Sequence, residues 1–467
     1  MRRNLFAAPS PRVRSWLLAI ALIPVMSTLV SIRAHAATIT VSNAGTDAPN
    51  CGAASTPCKT IKFALAMATN NDTINVVEGQ YAESLIVSKS VTITGVQGNA
   101  SPSPVVSAPT AVIDGVGTDR VFTINRGVTV SMSNLTIQNA KSTADGAAIA
   151  NLGTLTVSNS TIQNNSLGKF GHEKCAPCEG GGISNQGTMI LINVFVSGNS
   201  ANGGAGGNFF GGVYIPNDIG GGIYNSGMLT VTDSTITSNI AGYGGGGIEN
   251  DGTLVLNKST ISKNTGGGIY NDSVLTVTNS TIGQNKAAGI LNYSCNARTT
   301  LTDVTVASNE SDLSNIPLPP GSGPDAVVCT QFNSTMTLNN SIVANSGVGA
   351  NCTGKIISRD SNLDSGSTCG FHQPHDLSSK NPLLGPLAAN ASGFPLPGTP
   401  VLTDTYALLP GSPAIDADGT RGGCPATDQR RVSRPQGKAC DCPATDQRGV
   451  SRPQGKACDI GSYERIQ

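Results

Sequence analysis

Apolar residues alternate with threonine along much of the chain, as in Leu229-Thr230-Val231 and Leu275-Thr276-Val277. That two-residue period predicts short strands with one buried face. The strands recur inside a longer repeat. Written from Gly220 one unit reads GGGIYNSGMLTVTDSTITSN, from Gly245 GGGIENDGTLVLNKSTISKN, and from Gly266 GGGIYNDSVLTVTNSTIGQN, with weaker copies near Gly146, Gly180 and Ala287. Ile223, Ile248, Ile269 and Ile290 follow one another at 25, 21 and 21 residues, the length of one coil of a β-solenoid. Ile236, Ile261 and Ile282 continue the inward-facing set. Each unit therefore folds as several brief strands and stacks in parallel on the next, about 4.8 Å away. The expected fold is all-β: a right-handed parallel β-helix (solenoid).

The bends of such a coil bring polar backbone into an apolar core. Two asparagine columns fall at those bends. Asn151, Asn185, Asn225, Asn250, Asn271 and Asn292 form one, and Asn165, Asn199, Asn239, Asn264, Asn285 and Asn309 the other. Amides stacked coil on coil can hydrogen-bond to one another, which assigns these residues a structural role. The glycine triplets are expected to supply turn conformations closed to other residues. An open solenoid end also needs a cover. Between Pro57 and Ala68, Ile61, Leu65 and Ala68 share one helical face with Phe63 and Met67 nearby, which predicts a short N-terminal capping helix. The organisation expected is a cap over residues 37–71, β-helix repeats over 72–344 and a loop-rich, disulfide-stapled C-terminal region over 345–467.

Composition limits what this scaffold does. Of 467 residues only 12% are charged and 4% aromatic, with 56 Gly and 26 Pro, which excludes an ordinary charged, helix-rich enzyme. The 29 Lys+Arg balance the 29 Asp+Glu. Arg2, Arg3, Arg12, Arg14 and Arg33 nevertheless lie in residues 1–36, where a basic start, an apolar stretch from Trp16 to Val30 and Ala34-His35-Ala36 have the layout of a signal peptide cleaved after Ala36. The mature chain is then mildly acidic. It has no basic cluster to bind nucleic acid, and no transmembrane segment is expected in it.

All twelve cysteines follow the signal, an even number suited to an oxidising compartment. Proximity in sequence suggests Cys51 with Cys58, Cys352 with Cys369, Cys424 with Cys440 and Cys442 with Cys458, and more loosely Cys295 with Cys329. Cys175-x-x-Cys178 is open to a disulfide, free thiols, a redox pair or, with His172, part of a metal site.

The stretch from Cys51 through Asp72-Thr73-Ile74, Gly79-Gln80-Tyr81-Ala82-Glu83 and Ser90-Val91-Thr92-Ile93-Thr94-Gly95 resembles the N-terminal coil of pectate-lyase-like β-helix proteins. The GGGIxN and STIxxN elements are similar to repeats of polymorphic outer membrane proteins, which are bacterial adhesins. Further on, Asn351-Cys352, Ser361-Asn362-Leu363, Asn381-Pro382-Leu383-Leu384-Gly385-Pro386-Leu387, Gly411-Ser412-Pro413-Ala414-Ile415-Asp416, Asp446-Gln447-Arg448-Gly449 and Cys458-Asp459-Ile460-Gly461 resemble choice-of-anchor Q domain proteins over residues 345–464. That resemblance implies secreted or surface display on bacterial cells and carries no catalytic residue set. Within the region, CPATDQRRVSRPQGKACD (424–441) is followed at once by CPATDQRGVSRPQGKACD (442–459), a tandem duplication of which one copy is expected to close the fold. Arg430, Arg431, Arg434 and Lys438 would be the members of any anion-binding patch there.

Insertions mark the expected working face. Residues 166–179, 200–219 and 241–244 interrupt the repeat at one point and are expected to stack into a wall carrying Phe170, His172, Glu173, Lys174, Phe209, Phe210, Tyr214 and Tyr243. Beside it, the outward position after the repeated Ile is Tyr224, Glu249 and Tyr270 in turn. Flat aromatics next to polar groups suit sugar rings, so an extracellular polysaccharide or another cell-surface component is the expected partner, bound in an adhesin-like way. The alternative is a polysaccharide lyase or glycoside hydrolase. A lyase would use Lys258 as base, with Ca²⁺ held by Glu249, Asp251 and Asp272 as the one possible cofactor, and a hydrolase would pair the same carboxylates.

Overall fold

The computed structural model describes residues 36–98, 111–117, 119–168, 178–202, 207–210, 213–216, 218–316, 333–389, 403–417, 445–451 and 459–463. The signal segment, Cys329 and the cysteines of the 424/440 and 442/458 pairs lie outside them. The chain is a right-handed parallel β-helix, in which each full coil supplies strands to three faces. On the first face Met228–Thr232, Thr253–Asn257 and Val274–Thr278 pair in parallel, aligning Leu229, Leu254 and Leu275 in one row and Val231, Leu256 and Val277 in another. On the second face Ile236, Ile261 and Ile282 line up. On the third, a ten-stranded sheet, Ile223, Ile248, Ile269 and Ile290 do the same. These side chains are all buried, so the core is a set of like-on-like apolar rows.

The asparagine columns run as hydrogen-bond ladders. Asn151 Nδ2 donates to Asn185 Oδ1 at 2.7 Å, and the chain of bonds continues through Asn225, Asn250, Asn271 and Asn292 to Asn315. The second ladder runs from Asn165 to Asn309 and ends on Asp312, whose Oδ1 accepts from Asn309 Nδ2 at 3.0 Å. Burial drives the Asp312 pKa up to about 7. A third ladder went unread in the sequence. In the STI motif the backbone N–H groups of Val194, Ser234 and Ser259 donate to the hydroxyls of Ser234, Ser259 and Ser280, one coil further on.

The glycines do two jobs: Gly146, Gly180, Gly220, Gly244, Gly266 and Gly267 hold left-handed φ as expected, while others serve close packing. Gly220 does hold a left-handed φ of 66°, but Gly221 and Gly222 do not. A Cβ on Gly221 would meet the Ile240 carbonyl at 2.5 Å, and one on Gly222 the Gly247 carbonyl at 2.7 Å. Close approach of neighbouring coils requires them. A second set of left-handed bends is made by a non-glycine column, Asn159, Asn193, Asp233, Lys258, Asn279, Asp303 and Asn340, with φ between 47° and 54°. Short polar side chains tolerate that region best, which accounts for most of this column.

At the N-terminus the first-face sheet already begins at Thr38–Val41, paired with Thr73–Val77. The intervening helix Ile61–Met67 buries Ile61, Ala64 and Leu65. Thr60 caps it, and the Glu83 carboxylate accepts from Ile61 N and Lys62 N at 2.8 and 2.7 Å. The disulfides Cys51–Cys58 and Cys352–Cys369 are present, and Cys295 is disulfide-bonded. Among the described residues no helix is long and apolar enough to cross a membrane.

The C-terminal segment lies along the outer surface of the second face. Tyr406, Leu408, Ala414 and Ile460 pack on Ala307, Ile342, Ala344 and Leu363. Gln447 Nε2 donates to Ser259 O and Thr260 Oγ1, while its Oε1 accepts from Thr281 Oγ1 at 2.6 Å. Outward threonines of the repeat, Thr260 and Thr281, are thereby fully buried. The docked residues 445–451 belong to the second copy of the duplication. Its turn from Asp446 to Val450 places Gly449 at φ 81°, where the first copy has Arg431.

Two consequences are measurable by urea denaturation. Asn250→Ala removes the three bonds its Nδ2 makes to Gly252 O, Asn271 Oδ1 and Val274 O and the one its Oδ1 accepts from Asn225 Nδ2, breaks the ladder at its centre, and should cost about 2–4 kcal/mol. Gly449→Arg forces a side chain into a left-handed turn and should cost about 1–2 kcal/mol.

Candidate functional site

The two long insertions meet at their base, where Cys178–Glu179 pairs in parallel with Asp218–Ile219. Within the second insertion Gly207–Phe210 and Val213–Pro216 form an antiparallel hairpin, with Phe209 opposite Tyr214 and Phe210 opposite Val213. Phe170, His172, Glu173, Lys174 and Cys175 lie outside the described residues, as do the side chains of Cys178, Phe209, Phe210 and Tyr214.

The third sheet assembles the remaining candidates. Tyr224, Glu249 and Tyr270 are lateral neighbours on successive strands, each following a buried Ile and preceding a ladder asparagine. Beside them, Asp251, Asp272 and Tyr293 follow Asn250, Asn271 and Asn292 at equivalent turns. The backbone N–H of each donates to the asparagine carbonyl one coil below. Tyr293 was missed because its coil reads ILNYSCN and lacks the glycine triplet; its place directly after Asn292 was the available signal.

The row is more closed than alternation alone predicted. Tyr224 is only 8% exposed, and its hydroxyl donates to Asp251 Oδ2 at 2.8 Å. Glu249 is 6% exposed, with Oε2 accepting from Gly245 N at 2.6 Å. Tyr270 is half-buried. The outermost ring is Tyr243, whose hydroxyl lies 2.8 Å from that of Tyr293, the two rings meeting edge to face with centroids 6.5 Å apart. This pair joins the turn before the strand Ile248–Asn250 to the turn after Ala288–Asn292, spanning the strand edges between.

Burial first, and then the negative charges of Asp251, Asp272 and Glu179, hold the Glu249 carboxyl well above the ordinary glutamate range. The Gly245 N–H opposes this in part. Tyr270 is pushed up to about 12, by burial and then by Glu249. Burial also raises the Tyr224 and Tyr293 hydroxyls, aided respectively by Asp251 and by the bond to Tyr243. A buried carboxyl with a raised pKa, set among phenols and carboxylates, can donate a proton or accept hydrogen bonds from neutral polar groups.

The lyase constellation does not come together. Lys258 sits at the bend between first and second faces, beside Asp233, whose pKa burial raises and Lys258 lowers. The strand Thr253–Asn257 stands between Lys258 and Asp251, which at its rise per residue separates them by about 20 Å. The calcium set is not assembled either. Among the described residues no group of three or more His, Cys, Asp or Glu is arranged to hold a metal ion. Glu249 is turned to Gly245, and one Asp251 oxygen is engaged by Tyr224.

With this geometry in place, comparison with solved structures gives a likeness to pectate lyase Pel9A, at a TM-score of 0.52 and 15% identity over 92% of this chain and 97% of that one. The chain has that protein's fold. Weaker likenesses are to the complex of XylC with xylose, at a TM-score of 0.40 and 10% identity over 74% of this chain and 87% of that one, and to the A-module of the Azotobacter vinelandii mannuronan C-5 epimerase AlgE4, at a TM-score of 0.36 and 12% identity over 68% and 92%. No family model matches the chain, and no curated protein matches it by sequence.

Glu249 yields a pH signature. A carboxyl with a raised folded pKa binds its proton more tightly folded than unfolded. Its stability contribution is therefore intact below the ordinary value of 4.5 and is lost as pH rises towards the elevated folded value. Glu249→Gln should match the parent in melting temperature at acidic pH and exceed it at mildly alkaline pH.

Proposed function

We propose that this chain is a secreted or cell-surface glycan-binding protein with an adhesin-like role, and that the third-sheet face is where it binds. The observation that carries this reading is the cluster of Tyr243, Tyr270 and Tyr293 beside Asp251 and Asp272. Phenol rings offer apolar surface to the faces of sugar rings, and the carboxylates accept hydrogen bonds from sugar hydroxyls. Because the leading charges at Glu249 are negative, the face repels polyuronates. Neutral or amino sugars are the ligand class that fits. The signal expected over residues 1–36, the C-terminal resemblance to choice-of-anchor Q domains and the likeness to a pectate lyase support an extracellular polysaccharide setting.

One feature favours a catalytic reading. Burial and the charges of Asp251 and Asp272 raise the Glu249 carboxyl above the ordinary glutamate range, which suits a general acid with a partner carboxylate in glycoside hydrolysis. A lyase has less support, since Lys258 stands apart.

The chain should be retained on a neutral or amino-sugar polysaccharide and leave its chain length unchanged. Replacing Tyr270 and Tyr293 together by Ala should weaken retention about tenfold, the worth of two ring contacts. Retention that the double change leaves untouched removes the binding assignment. Shortened chains that disappear with Glu249→Gln would establish the hydrolase instead.

A further inference from the structure

The first face carries a second, independent pattern. Across the first-face residues 129–133, 154–158, 188–192, 228–232, 253–257 and 274–278 no outward side chain is charged or aromatic; Phe195, further along the third of these strands, belongs to the second face. They are Thr and Ser, with Ile, Val, Met and one Asn between them. The middle row runs Thr156, Ile190, Thr230, Val255, Thr276, Thr300, with every residue paired to its neighbour and no bulge from coil to coil. The C-terminal segment that buries the second face leaves this one open: Met228 is 59% exposed, Val274 41% and Val255 38%. Hydroxyls and methyls therefore repeat at about 4.8 Å from coil to coil and about 6.7 Å along each strand.

The chemistry of this face narrows its partner. Anionic polymers need Lys or Arg to meet their charges. Protein partners are anchored by Trp, Tyr or Arg, and sugar surfaces by aromatic platforms. Membrane-surface segments need basic and aromatic residues together. None of these lies within coils 129–278; the charged Asp233 and Lys258 stand at the border, and exposed Arg298, in register with Val274 on the strand that carries Thr300, marks the far end. What it does offer is a periodic set of weak donors and acceptors separated by methyls, able to hold water in an ordered layer without the strong local pull of a charge.

We propose that the first face binds ice, adsorbing through an ordered water layer held by its threonine rows. The proposal is independent of glycan binding at the third sheet.

The test is ice-crystal growth in the presence of the purified full chain. The parent chain should shape single crystals and halt recrystallisation. Thr230→Lys with Thr276→Lys should raise the concentration needed about tenfold or more, because each ammonium must be desolvated against the lattice. Thr156→Lys with Thr300→Lys tests the same row should the first pair fail to fold, circular dichroism reporting folding. Ser238→Lys, where the next coil already carries Lys263, should leave ice activity unchanged. The proposal is overturned if the parent chain leaves crystal growth unaffected, or if folded variants of the row act like the parent. It is equally overturned if the chain does not affect ice but is retained on crystalline cellulose or chitin through these threonines, which would give the face to sugar.

Discussion

Buried amide-to-amide hydrogen bonding is the interaction on which this molecule depends. A coil of 21 to 40 residues must turn several times around a core, and every turn brings backbone N–H and C=O groups inside. An asparagine at the turn satisfies them. Asn250, for example, bonds its amide nitrogen to Gly252 O, Asn271 Oδ1 and Val274 O at once. Each amide both accepts from the coil before and donates to the coil after, so the ladder fixes register as well as satisfying polarity. A slip of one residue would break the apolar rows and both asparagine ladders together.

That coupling explains why one face can carry an energetically costly site. Tyr224, Glu249 and Tyr270 sit one residue before ladder asparagines and two after the glycines Gly222, Gly247 and Gly268 that let neighbouring coils approach, positions held from both sides. The scaffold can keep a carboxyl buried among like charges because the residues flanking it are committed to the core. Along the first face the same rigid register holds an uncharged array in place over many coils.

Much of this was legible in the sequence, for a physical reason. The two-residue strand period, the Ile rows, both asparagine columns and the local disulfides Cys51–Cys58 and Cys352–Cys369 are all written in short spacings. What lay beyond reading was covered from a distance. Thr260 and Thr281 alternate like solvent-facing residues, yet Gln447 buries them from 187 and 166 positions away. Tyr224 and Glu249 look outward by the same alternation and are closed in by neighbours across the coil. Lys258 and Asp251, the base and a calcium ligand of the lyase alternative, belong to different columns in the sequence and fall at opposite ends of a single strand. The glycine triplets were read as turns, which Gly220, Gly266 and Gly267 are, while Gly221 and Gly222 serve the tight contact between coils.

The C-terminal segment also changes how the molecule would bear a load. The ladder bonds and the strand-to-strand bonds lie along the solenoid axis, so tension applied end to end reaches every coil in series and the weakest junction yields first. From the strand Thr260–Ser262 to Leu363 the docked segment runs alongside, tied through Gln447, Tyr406, Ser462 and Ile460 to several coils at once. There the load is shared in parallel, as by a splint. A stretched molecule would therefore part among the coils before Ser259, while the coils held by the docked segment came away together as one block.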